Sequence, residues 1–92
     1  MIYTVGIRMK YERAFAENRA VKAGRAVKPD GSTYEGGFAF RTAEDARAFL
    51  ASKGLTGTHM VMGVEADWER DTEPAEGKPY RRLLRDSVLV KL

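Results

Sequence analysis

The sequence predicts a single small α+β domain. The expected sheet is mainly antiparallel, with four to five strands and two to three helices in the order β-α-β-β-α-β-α-β. Three observations predict it. Residues 2–10 and 58–68 alternate apolar and polar side chains with period two, the mark of a half-buried strand. Residues 42–54 hold a helix with start and stop signals at both ends. A chain of 92 residues makes one domain and leaves room for only a modest core.

Composition narrows the class. With 43% hydrophobic and 32% charged residues, the chain folds rather than staying disordered. It has no cysteine, so disulfides, thiolate nucleophiles and cysteine-based zinc sites are excluded. That suits a reducing compartment, and a cytoplasmic location is expected. Arg8 and Lys10 interrupt the first apolar segment, so it reads neither as a signal peptide nor as a membrane span.

The elements follow in order. In the first strand Tyr3, Val5, Ile7 and Met9 fall on one face, with Thr4, Arg8 and Lys10 on the other. Residues 11–23 read as a helix closed by Gly24, and the tetrapeptide RAVK recurs at 19–22 and 25–28. That recurrence leaves a basic hairpin open as the alternative to helix then strand. "KPDGS" at 28–32 is a turn, and "TYEGGFAF" an extended segment in which Gly36-Gly37 permits a bulge or a close backbone approach. Thr42 caps a helix over 43–52 that turns Ala46, Phe49 and Leu50 inward, and Gly54 ends it. In the next strand Met60, Met62, Val64, Ala66 and Trp68 share a face opposite His59, Val61 and Gly63. "PYRRLLRD" reads as a short helix with Pro79 at its start and Leu83 and Leu84 buried. "SVLVKL" is a closing strand set within the sheet, Val88, Val90 and Leu92 inward.

Charge is uneven along the chain. Residues 65–77 carry a net −5 between two segments of +4, 1–30 and 78–92, within an overall +3. Inside the acidic run Glu65, Asp67, Glu69, Asp71 and Glu73 occupy every second position. A strand extended from Met60 to Thr72 puts them all on its solvent face, where charge also discourages pairing with another strand edge. A calcium loop of EF-hand type is excluded: counting from Asp67, the sixth residue is Thr72 and the twelfth Lys78, not glycine and glutamate. His59 is the sole histidine, with no cysteine and no G-x-S-x-G motif to accompany it.

Two resemblances add to this reading. "GGFAFRTAEDARAFL", "GVEADWERDT" and "RRLLRDSVLVKL" together resemble a family of small uncharacterised bacterial proteins, over the chain from Glu35 on. That implies a bacterial origin and one compact fold, with no activity attached. Gly37, Phe38, Phe40, Thr42 and Ala46 are also similar to the glycine-aromatic strand and alanine-rich helix of ADP-ribosyltransferase-like domains. The likeness implies a nucleotide-binding corner with Glu65 or Glu69 in the acid's place. No tyrosine stands near Phe40 where that family often lays one over nicotinamide, and the chain is short for a complete transferase.

The expected function is therefore a non-catalytic binding or regulatory module acting by protein–protein contact. Asp67, Trp68, Glu69 and Asp71 are its candidate partner-binding residues, an acidic face with an aromatic anchor. The alternative is a small-molecule or nucleotide pocket formed by Tyr34, Gly36, Gly37, Phe38, Phe40 and Arg41, beside the amide groups that open the next helix. Nucleic-acid binding through the basic 19–28 segment stands third. No catalytic residue, metal or cofactor is expected. The expected partner is a protein, a second copy of this chain included, and no membrane is involved.

Overall fold

In the computed structural model, which describes residues 1–17, 20–23, 37–65, 72–74, 81–83 and 87–92, seven strands and two helices are seen. They are β1 (Ile2–Ile7), α1 (Arg8–Glu17), β2 (Val21–Lys22), β3 (Gly37–Ala39), α2 (Ala43–Ser52), β4 (His59–Glu65), β5 (Thr72–Pro74), β6 (Arg81–Leu83) and β7 (Val88–Val90). Four strands form an antiparallel sheet in the order β1-β4-β7-β2, and three form another, β3-β6-β5. Tyr3 and Phe40 join them: each N–H donates to the other's carbonyl, at 2.9 and 2.8 Å. The predicted class holds, a small α+β domain with a mainly antiparallel sheet. Among the described residues no helix is long and apolar enough to cross a membrane.

β1 is covered on both faces. Ile2, Thr4 and Gly6 stand in register with Val64, Met62 and Met60, while Tyr3, Val5 and Ile7 face Gly63, Val61 and His59. The first set lies against Tyr11, Ala14 and Phe15 of α1, in a core with Val21, Ala39, Leu83 and Leu89. The second lies against Ala46, Phe49 and Leu50 of α2, with Phe40 and Leu55. Thr4, read from the sequence as outward, is therefore only 2% exposed.

The start of α1 departs from the sequence reading. The strand stops at Ile7 and the helix begins at Arg8, not Tyr11. Arg8 causes this by holding the end of β1 to the start of β4. Its N–H donates to the Thr58 carbonyl (2.8 Å) and its Nη2 to the His59 carbonyl (3.0 Å). On a helix from Arg8, the spacing that turns Tyr11, Ala14 and Phe15 inward turns Met9 outward, so Met9 is 84% exposed instead of in the core. The exposed face carries the pairs Arg8–Glu12 and Arg13–Glu17, which contribute little in water. The helix also ends early, because Val21 is recruited as a buried strand residue opposite Leu89. The RAVK copy at 25–28 and the 28–32 turn lie outside the described residues.

α2 is as predicted. Thr42, extended at φ −127° and ψ 152°, caps it by accepting the Asp45 N–H on Oγ1 at 3.0 Å. Ala46, Phe49 and Leu50 are the buried residues, and Gly54 leaves the helix at φ +67°, in the left-handed region that glycine adopts without strain. Thr42→Ala should lower stability by about 1 kcal/mol while Thr42→Ser stays near wild type. Urea unfolding monitored by circular dichroism would measure both.

The second half of the chain brings two corrections. Residues 81–83, expected in a short helix, are β6, the middle strand between β3 and β5. Leu83 is buried as expected, but in register with Gly37 and Thr72. A run of a few residues is too short to fix its own state, and two flanking strands offer its backbone a ladder on each side. In β7 the inward residue is Leu89, at 2% exposure, where Val88, Val90 and Leu92 were expected. Leu89 stands opposite both Val64 and Val21, so those two neighbours choose its face. Val88 and Val90 are half-buried on the other face, and Leu92 is 58% exposed.

Candidate functional site

The acidic alternation begins at the lower end of β4. There Met62 and Val64 are buried and Glu65 is exposed, but His59 and Gly63 on the Glu65 face are buried too and Val61 packs against the α2-side core, so β4, expected to turn that face to solvent, is covered on both sides as far as Gly63. The candidate partner residues Asp67, Trp68, Glu69 and Asp71 lie outside the described residues, so of the expected acidic face only Glu65 is placed with its side chain.

Glu65 opens onto a cleft. It has a volume of about 350 Å³ and runs between α1 and β7, lined by Phe15, Glu65, Val88, Leu89, Val90 and Lys91. Phe15 is half-buried on the inner side of α1. The helix supplies an aromatic wall and Leu89 lies on the same sheet face, whereas register puts Val88, Val90 and Glu65 on the opposite face, and Glu65 and Lys91 bring opposite charges. Binding clefts share this composition, mostly apolar with a few polar groups that set orientation. Glu65 is legible in the sequence as the first of the alternating acids. Phe15 and 88–91 are not, because their meeting depends on the β4–β7 register and on where α1 begins.

The glycine corner is arranged differently. Tyr34 and Gly36 lie outside the described residues, and Gly37 pairs through its backbone with Leu83. Phe38 is half-buried and Phe40 only 1% exposed. Both rings lie against Phe49 of α2, with centroids 5.6 and 5.3 Å away. Arg41 is exposed. At the helix end beside this corner, Thr42 already occupies the Asp45 N–H, and Glu44 and Asp45 fill the first turn. Two carboxylates there oppose an incoming phosphate.

His59 is 4% exposed, with Nδ1 at 2.8 Å from Thr58 Oγ1, and Thr58 Oγ1 also donates to the Leu55 carbonyl at 3.3 Å. His59 is the first residue of β4, in register with Ile7 of β1. Among the described residues no three histidine, aspartate or glutamate side chains gather.

Fold and cleft together define the class: a small α+β domain with helices on two faces of an antiparallel sheet and a charged-rimmed apolar cleft beside α1. Comparison with protein-family models, curated proteins and solved structures returned no match.

Proposed function

We propose that the protein is a non-catalytic binding module acting by protein–protein contact, and that the cleft between α1 and β7 receives a short segment of the partner. The observation that supports this is the joining of Phe15, an aliphatic strand and Glu65 in one cleft. An aliphatic side chain of the segment packs on Phe15, and a lysine or arginine next to it meets Glu65. The acids at 67, 69 and 71 follow Glu65 in the sequence and extend the attraction for a basic partner.

Short synthetic peptides alternating aliphatic and basic residues test the reading, titrated while the amides of Glu65 and of 88–91 are followed by NMR. Saturable shifts are expected there, with Phe15→Ala and Glu65→Lys each weakening binding by about tenfold or more. Flat amides at millimolar peptide, or equal affinity in both variants, would remove the cleft from the protein's function.

A further inference from the structure

The sheet face on the α2 side carries a second feature, an apolar strip that shares Glu65, Val88 and Val90 with the lining of the cleft. Strand register sets its rows. Tyr3, Gly63 and Val90 stand side by side across β1, β4 and β7. Glu65, Val88 and Lys22 stand side by side across β4, β7 and β2. Tyr3 and Val61 place these rows on the face that α2 packs against. α2 itself lies over β1 and β4. Val88 and Val90 fall in neither of the two cores and are half-buried.

Met1 and Leu92 extend the apolar strip. A Cβ added at Gly63 would meet Met1 Sδ at 2.6 Å and Leu92 Cδ2 at 3.4 Å, so both side chains rest on the sheet at that point. Their outer surfaces remain 71% and 58% exposed. Glu65 and Lys22 flank the strip, both exposed, and neither has an ion-pair partner among the described residues. They are two strand spacings apart, roughly 10 Å.

We infer that this strip is a symmetric interface with a second copy of the chain, in which Glu65 of each copy faces Lys22 of the other across a β7-on-β7 contact. The charge pattern selects the occupant. A two-fold interface presents the same patch from both sides and must complement itself. With the axis along β7, rotation sets Val88 on Val88 and Val90 on Val90 and exchanges the flanks, so each acid meets a base twice over. An axis across the strands would set Glu65 on Glu65 and is disfavoured. The same rotation sets the two α2 helices on opposite sides of the axis, since each lies toward β1. Two sheets at the usual face-to-face spacing of about 10 Å then enclose the valines together with Met1 and Leu92.

Sedimentation equilibrium of the intact chain from micromolar to millimolar concentration tests this. A reversible dimer is expected, with association strengthened at low salt. Glu65→Lys and Lys22→Glu should each raise its dissociation constant by about tenfold or more through like-charge contact, and the double exchange should restore it. Both side chains are exposed, so a native circular dichroism spectrum is expected in every variant. A chain that stays monomeric at millimolar concentration, a dimer indifferent to either reversal, or a double exchange that fails to restore association would each overturn the inference. Lys22→Glu also distinguishes this interface from peptide binding in the cleft, whose lining shares Glu65, Val88 and Val90 with the strip but not Lys22: it should break the dimer without weakening peptide binding.

Discussion

Phe40→Ala is expected to cost about 3–5 kcal/mol, enough to consume a large part of the stability of a domain this size. The ring is 1% exposed and stands between two structures. On one side it packs on Phe49 of α2 at 5.3 Å, with Val5 and Leu55 in the same core. On the other, its own backbone ties the three-stranded sheet to β1 through the paired bonds with Tyr3. Removing the ring opens a cavity at the junction without touching those backbone bonds, so the loss reads as packing alone. Phe38→Ala is the comparator. Its ring meets the same Phe49 but is half-buried, and the loss should be clearly smaller. Urea unfolding of the three proteins gives both values. A loss below about 1 kcal/mol at Phe40 would mean that the junction is not a packed core.

Gly6→Ala is expected to destabilise the protein by about 1–3 kcal/mol, although it adds a single methyl group. A Cβ at this position would lie 2.6 Å from Tyr11 Cδ2 and 2.9 Å from the Met62 methyl. The Met62 end is flexible and can yield. The Tyr11 ring cannot yield cheaply, because it is 2% exposed and held between α1 and the sheet. Strand residue and helix residue are thus matched, glycine beneath and tyrosine above. Tyr11→Leu in the Gly6→Ala background should therefore recover part of the loss, whereas Tyr11→Leu alone should destabilise. The double-mutant cycle should show a coupling energy of about 0.5 kcal/mol or more, and additivity would mean that the ring does not rest on Gly6.

These two sites differ in how far the sequence foretells them. Phe40 reads at once as an apolar residue of an extended segment, yet its partner Phe49 belongs to a helix, and only the packing of α2 in the shared core brings the rings together. Gly6 reads as a weak spot in a good strand. Its meaning comes from Tyr11, whose inward direction depends on the helix starting at Arg8. The candidate site divides in the same way. Glu65 announces itself by alternation, while Phe15, Val88 and Lys22 acquire significance only through register.

By itself the sequence determined the fold class, helix α2 with its Thr42 cap and its Gly54 exit, and the core face of β4 through Met62 and Val64. In each case the signal is local and spans several periods, so neighbours along the chain suffice to bias the backbone. The tertiary structure alone decided that β1 is buried on both faces, that Met9 points to water, that 81–83 is a strand, and that Leu89 rather than Val88 and Val90 enters the core. Those segments are short, and their intrinsic preferences differ by less than the hydrogen bonds and buried surface offered by partners distant in sequence: Thr58 and His59 for Arg8, Phe38 for Arg82, Val64 and Val21 for Leu89.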